Sequence, residues 1–432
     1  MKEKTFFQRD GMKTILASLL SIVIGMLAGI IIIVIVGLTN GSIASSNIWD
    51  AIRLVMFGVF NKGRDAVNGA LTFGFNPAYF GNMLFRAMPL ILTGLSVAVA
   101  YKTGLFNIGA PGQYLAGICT TLFIALSVPT SSVAPWIVWI LAFLGGMIAG
   151  ALWGCIPGLL KALLNINEVI ACIMTNWLAA SLVTWAFDVS SLKNVLEGTK
   201  TGYIYKTSTI INDVVVNGTK TVAGVNIPEG AEVLATRGGV ATPKFGLDAL
   251  FPGSQVNGGI LIAILLAIVF YIVMEKTTLG YQLKACGSNR HAAKYAGIMD
   301  KRNIILSMAL AGSLAGAAGS LYALSGNTEF FWTTYQSLPA VGFTGIAVAL
   351  LAVNNPIGVI FSGIFMSFLN INGQQLTNLT AYNEYITDVI VAVIVYLAAF
   401  MLIIKMWISK KRPRKPVPSA PVPDKKSKEV QG

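Results

Sequence analysis

The sequence predicts an all-α fold, a polytopic inner-membrane protein of about ten transmembrane or broken helices with a small β-rich extracytoplasmic insertion. Three observations carry that expectation. Of 432 residues, 55% are hydrophobic and only 11% are charged, and the mean hydropathy is +0.71, a balance foreign to a soluble domain. Long apolar runs recur along the whole chain with short polar connections between them. The formal net charge of +13 sits largely in the flanks of those runs, as positive-inside topology requires, and not on one face that would suit nucleic acid.

The first run, Thr14 to Leu38, contains no charge and exceeds the roughly 20 residues needed to cross a bilayer. It is also well beyond the roughly 7 to 15 residues of a signal-peptide core, so it reads as a retained helix. Lys2, Lys4, Arg9 and Lys13 precede it, and Lys410, Lys411, Arg412, Arg414, Lys415, Lys425, Lys426 and Lys428 lie near the other end. Both termini are therefore expected in the cytoplasm, with residues 409–432 a disordered Pro- and Lys-rich tail.

Asn47 to Phe80 is too charged to cross, and its helical pattern at Ile52, Val55, Met56 and Val59 predicts a helix along the outer surface. Further spans are expected at Met83–Tyr101, Leu105–Leu126, Ala134–Cys155, Val169–Phe187, Gly258–Met274, Ile304–Leu324, Leu338–Val353, Ile357–Leu369 and Ile386–Ile404. The chain divides into a membrane half at 1–187, an extracytoplasmic insertion at 188–257, a second membrane half at 258–408 and the tail. Within the insertion, IINDVVV and TKTVAGV flank Asn217-Gly218, the preferred chemistry of a two-residue hairpin. Leu338–Val353 and Ile357–Leu369 are short for a bilayer, which points to broken or re-entrant helices. TGLSVAVA at Thr93–Ala100 and TGIAVALL at Thr344–Leu351 each follow a proline, Pro89 or Pro339, and suggest an internal repeat.

Nothing in the chain looks catalytic. His291 is the only histidine, and no phosphate-binding loop of the Gly-x-x-x-x-Gly-Lys-Ser/Thr type occurs, so neither zinc-hydrolase chemistry nor ATP hydrolysis is expected of this chain. Cys119, Cys155, Cys172 and Cys286 fall in apolar segments or the basic loop and read as packing residues. Carboxylates are nearly absent from the spans; Glu168 and Asp388 lie near segment ends, whereas ion-coupled carriers place such groups at depth.

The polar groups at depth are neutral. Phe106, Asn107 and Gln113 in GLFNIGAPGQ, Asn176 beside Trp177, and Thr344 beside Phe343 suit an uncharged ligand with hydrogen-bonding groups and an apolar face. Each amide taken alone fits interhelical glue equally, worth on average only ~0.6 kcal/mol. Asn107 and Gln113 gain weight as a cluster, because Gly104, Gly109, Pro111 and Gly112 around them permit unwound backbone. Arg86, near the outer end of its span, either meets a ligand or snorkels.

The segment TTLGYQLKACGSNRHAAKYAGI, Thr277–Ile298, is a basic island between two apolar runs, rich in small residues. It suits close docking of a soluble partner through one helix face. A helix lying on anionic lipid would use the same Lys276, Lys284, Arg290, Lys294, Lys301 and Arg302.

Four segments together resemble a known family: PLILTGLSVAVAYKTGLFNIGAPGQ from Pro89, NEVIACIMTNWLA from Asn167, the Thr277–Ile298 loop, and GFTGIAVALLAVNNPIGVI from Gly342. They are similar to permease subunits of bacterial ATP-binding-cassette importers in the branch serving branched-chain amino acids, simple sugars and nucleosides. The wording is most like the nucleoside permeases. The resemblance implies transport by alternating access, with Phe106, Asn107, Gln113, Asn176, Trp177, Phe343 and Thr344 along the substrate path. It implies that Gly280, Ala285, Gly287, Asn289, Ala292, Ala293 and Gly297 couple to a separate ATPase that uses ATP and magnesium, with no cofactor on this chain. A second, non-identical permease and a lipid-anchored extracytoplasmic binding protein complete the implied assembly. The long 188–257 insertion departs from the family pattern. A self-sufficient channel or facilitator for small neutral solutes is the rival reading.

Overall fold

A computed structural model describes residues 10–39, 45–128, 132–190, 192, 221–222, 225–226, 240–327, 330–332, 338–383 and 385–399. The first half runs α1 (Asp10–Thr39), α2 (Ser45–Phe57), β1 (Asn61–Arg64), β2 (Leu71–Phe73), α3 (Pro77–Lys102), α4 (Ala110–Ser127), α5 (Pro135–Leu164) and α6 (Glu168–Val189). A short strand pair, β3 (Thr221–Val222) and β4 (Val225–Asn226), and one helical turn, α7 (Leu247–Leu250), follow. The second half comprises α8 (Gly259–Lys276), α9 (Thr278–Ser288), α10 (Arg290–Tyr295), α11 (Asp300–Ala323), α12 (Ala340–Leu351), α13 (Pro356–Leu379) and α14 (Tyr385–Ala399).

Among the described residues, eight helices are long and apolar enough to cross a membrane, namely α1, α3, α4, α5, α6, α8, α11 and α13, while α12 and α14 are shorter apolar helices. The expected division into about ten crossings thus stands at eight, with two short helices whose crossing is not established by length. Each α-helix satisfies its own backbone groups, which is what a bilayer demands of a spanning segment.

α3 is the hub. It is buried along most of its length and is packed by α8, α11, α12 and α13, with α4 joining it through a tight turn. The most intimate contact lies elsewhere, between α5 and α11. An added Cβ at Gly312 would sit 2.2 Å from the Gly150 carbonyl oxygen, and one at Gly150 would sit 2.3 Å from that of Gly312. A Cβ at Gly316 would sit 2.4 Å from the Gly146 carbonyl oxygen and one at Gly154 2.4 Å from that of Met308, so two backbones touch over two helical turns. Helices in lipid associate through such small-residue faces, since hydrocarbon surroundings offer no hydrophobic drive.

Three sequence expectations change. Asn47–Phe80 is not one surface helix: α2 ends at Phe57 and gives way to the antiparallel β1–β2 hairpin. Gly63 and Gly69 there hold positive φ, at 104° and 67°, and Asp65 accepts from Val67 and Asn68 N–H to form the loop. Ile357–Leu369 is not a short span, because α13 continues to Leu379 through polar sequence. That extension is stable because its amides find partners: Asn372 accepts from Val59 N–H at 2.8 Å and donates to Val55 O at 2.7 Å, and Gln375 accepts from Asn61 at 3.2 Å. Third, the two similar octapeptides occupy unlike elements, the middle of the long α3 and the body of the short α12. They meet each other, with Gly345 against Thr93 and Val348 against Gly94. The Asn217-Gly218 turn lies outside the described residues; the strand pair described nearby is antiparallel, Thr221 opposite Asn226 and Val222 opposite Val225.

Candidate substrate path and docking surface

α3 ends at Lys102, whose ammonium lies 3.2 Å from Glu275 at the end of α8. The chain then turns back inside the bundle. Asn107 donates to Ser96 Oγ at 3.0 Å, and Ser96 stands six residues before Lys102, about 9 Å back along the α3 axis. α4 therefore begins level with the interior of α3, and Thr103–Gly109 is non-helical backbone inside the bundle. Such backbone is tolerated only where protein supplies its hydrogen bonds.

The amides supply them. Asn107 and Gln113 form a reciprocal pair, Asn107 Nδ2 to Gln113 Oε1 at 2.8 Å and Gln113 Nε2 to Asn107 Oδ1 at 3.1 Å. Asn107 Oδ1 also accepts from Gly109 N–H at 3.0 Å. Asn176, on α6, accepts from Gly112 N–H at 2.9 Å and donates to Ile108 O at 3.0 Å, meeting the orphan groups of the α4 N-terminus. All three amides are essentially buried. Ser96 hands the network on to Ala311 O on α11, and Thr103 bonds to Ser307 one turn earlier on the same helix.

The other path candidates surround this knot and present a different face. Gly342 packs against Pro111 at the start of α4, which sets Phe343 and Thr344 beside it; Phe343 is 40% exposed, and Thr344 bonds to Ala340 O on its own helix. Trp177, next to Asn176, is 51% exposed. Phe106 is half-buried in the turn itself. The exposed path candidates are thus aromatic, Trp177 among outward apolar residues of α6 such as Met174 and Leu178, while the buried amides hold the turn. Asn107→Ala would leave the Gly109 N–H and the Gln113 amide without their partner, at about 1 to 3 kcal/mol for each buried group. The expected outcome is lower thermal stability and lower membrane abundance along with lost uptake, read by melting of detergent-solubilised protein and by immunoblot.

The Thr277–Ile298 segment folds as two helices. Thr277 caps α9 and Asn289 caps α10, each accepting from the N–H three residues on. Of the seven coupling candidates, three turn inward: Gly280 against the Val273 and Met274 carbonyls, Gly287 against Lys102 O and Gly104, and Ala293 into the interior. Ala285 is half-buried, while Asn289, Ala292 and Gly297 are exposed. Glu275 bonds to both Lys102 and Lys284, and Arg290 pairs with Asp300 at 2.6 Å, clamping the segment to α3, α8 and α11. Its outer face also carries large apolar groups that small-residue reasoning passed over, Tyr295 at 95% exposure with Tyr281 and Met299. Their signal was present in the sequence, as two tyrosines and a methionine in a basic loop with no apolar run to join.

Comparison with known proteins shows the family. Residues 79–399 match the family described as branched-chain amino acid transport system / permease component. The chain is 35% identical over 358 residues to the nucleoside ABC transporter permease protein NupB of Lactococcus lactis, covering 79% of this chain and 88% of that one. It is 29% identical over 400 residues to the guanosine ABC transporter permease protein NupP of Bacillus subtilis, covering 92% and 96%. A second permease from L. lactis, NupC, matches at 25% over 301 residues, 68% of this chain and 82% of that protein. No solved structure matches. A polytopic bundle of apolar helices, matched over most of its length by such relatives, this chain belongs to the branched-chain amino acid transport system / permease component family.

Proposed function

We propose that this chain is the membrane-spanning permease subunit of an ATP-binding-cassette importer that takes up a nucleoside or a similar neutral polar solute by alternating access. The observation that carries the reading is the two-sided α9–α10 segment. Its inner face is locked to the end of α3 and the turn after it through Gly287 and the Glu275 ion pairs, with Leu283 buried, and its outer face exposes Tyr281, Tyr295 and Met299. A separate ATPase binding ATP and magnesium seats on that outer face and moves the turn that frames the path. Phe106, Trp177, Phe343 and Thr344 contact the solute, and Asn107, Gln113 and Asn176 shape the path behind them. Coupling runs through Gly280, Ala285, Gly287, Asn289, Ala292, Ala293 and Gly297, the inward residues by holding the segment and the outward ones by contact.

Relatives occur in pairs within one organism, NupB with NupC and NupP with NupQ, which supports a second, non-identical permease beside this one. A lipid-anchored binding protein delivers the solute from outside, and both termini lie in the cytoplasm. The test is purification of the tagged chain from its native membrane together with radiolabelled nucleoside uptake in cells lacking it. Co-purification of an ATPase and loss of uptake on deletion are expected; ATP-independent uptake by the chain alone would establish the facilitator instead.

A further inference from the structure

The turn joining α5 to α6 takes no part in the path or in the α9–α10 segment, yet it exposes large apolar groups. The α5–α11 seam fixes its level in the molecule. A Cβ at Gly150 would meet the Gly312 oxygen, one at Gly154 that of Met308, and one at Gly158 the Ile305 Cα at 3.2 Å, so each turn along α5 matches one turn back along α11. Leu164, six residues past Gly158, therefore stands level with the start of α11 at Asp300. Thr103, just past the end of α3, bonds to Ser307 on that same helix. Asp300 lies seven residues before Ser307, so the α5–α6 turn projects about 10 Å past the end of α3, on the side where α9 and α10 sit.

The turn is held in one shape. Asn165 ends α5 with φ 54°, and Ile166 N–H returns to Leu160 O at 3.2 Å. Asn167 Oδ1 caps α6 by accepting from Val169 N–H at 2.8 Å, and Lys161 pairs with Glu168 at 3.0 Å across the turn. From this clamped frame Leu163, Leu164 and Ile166 stand 59%, 66% and 39% exposed. Hydrocarbon does not account for them, because an ion pair flanks them and they lie beyond the level of the Lys102–Glu275 pair. Met299, which directly precedes Asp300, is 61% exposed at the same level, and Tyr295 ends α10 just before it. Exposed apolar groups at one level, on two helices whose backbones touch, extend the outer face of α9–α10 across α11 to α5. A partner that covers helix ends in this way is a soluble domain, whereas lipid tails and a neighbouring helix bundle cover helix flanks.

Resting on the reading that an ATPase seats on α9–α10, we propose that the α5–α6 turn is a second contact for the same ATPase, with Leu163, Leu164 and Ile166 covered by its apolar surface. Two contacts give the ATPase a hold on the α5–α11 pair as well as on the α3–α4 turn, so it can shift one against the other. The test replaces Leu164 with the photoreactive residue p-benzoylphenylalanine and irradiates native membranes carrying the full assembly. Leu144, 47% exposed in the middle of α5, is the control site. An adduct with the ATPase that co-purifies with the wild-type chain is expected from the first site and not from the second. Leu164→Gln and Ile166→Gln are polar changes at exposed positions that leave the capped turn intact. Each should lower ATPase recovery and uptake together by roughly fivefold or more, the scale set by burying one aliphatic side chain. Adducts with lipid or a second permease alone, with unchanged ATPase recovery in both glutamine variants, would overturn the second contact. Wild-type co-purification, lost in Ala292→Glu, would in that case keep the first contact standing. Failure of the wild-type chain to bring down any ATPase would remove both readings.

Discussion

Gly150→Val is expected to eliminate folded protein from the membrane. The new Cβ would stand 2.3 Å from the Gly312 carbonyl oxygen and 2.7 Å from the Gly316 Cα, both backbone atoms that cannot rotate away. Overpacking a tight contact typically costs ~1 to 3 kcal/mol, and here two helices would have to separate along their full seam, so the effect lies at or beyond the top of that range. Gly150→Ala adds only the Cβ and should be the milder of the two. Immunoblotting of membranes and size-exclusion profiles in detergent check the ordering. Normal abundance of the valine variant would mean that α5 and α11 are not in backbone contact.

Gly287→Val should abolish uptake by a different route. Its Cβ would lie 2.5 Å from Lys102 O and 2.8 Å from Gly104 N, so the substitution lifts α9 off the α3–α4 turn without touching the exposed docking face. ATPase co-purification should survive while uptake falls at least tenfold. Ala292→Glu makes the complementary break. Ala292 is exposed on α10, and a carboxylate there would be buried without a partner in an ATPase groove, which costs several kcal/mol. Co-purification and uptake should then fall together. Removing charge at exposed Lys294 should do much less, whereas a helix held by anionic lipid would lose about 1 kcal/mol per lysine. If Ala292→Glu keeps its ATPase, the docking face is elsewhere.

These variants also mark what was legible in the sequence. Apolar runs located every long helix, because crossing a bilayer leaves a compositional trace that needs no partner to read. The capped α9–α10 segment was visible for a similar reason, as a polar island between two such runs. Direction within it was not, since Gly280, Gly287 and Ala293 look the same in sequence as Ala292 and Gly297, and only packing against Met274 and Gly104 separates inner from outer. The outward half of α13 was missed because Asn372 and Gln375 are polar, and their acceptors and donors come from residues more than three hundred positions away. The glycine face of α5 and α11 went unread because glycine is common in membrane helices, and a seam exists only when two such faces meet. Asn107, Gln113 and Asn176 were found, but whether an amide faces a ligand or its own chain depends on the fold-back of the α3–α4 turn, which no local pattern announces.

That closed set of amides bears on how the cell keeps its membrane potential. A path through the bilayer that stays partly open between deliveries would leak ions if deep polar groups offered them coordination. Here the amide side-chain oxygens at the α4 N-terminus are already committed, Asn107 Oδ1 to Gly109 and Gln113, Gln113 Oε1 to Asn107 and Asn176 Oδ1 to Gly112, as is Ile108 O to Asn176. A sodium ion or hydrated proton reaching this depth meets aromatic faces and spent acceptors, so shedding its hydration would cost energy with nothing to replace it. The deep amides of this turn thus offer an ion no ready coordination.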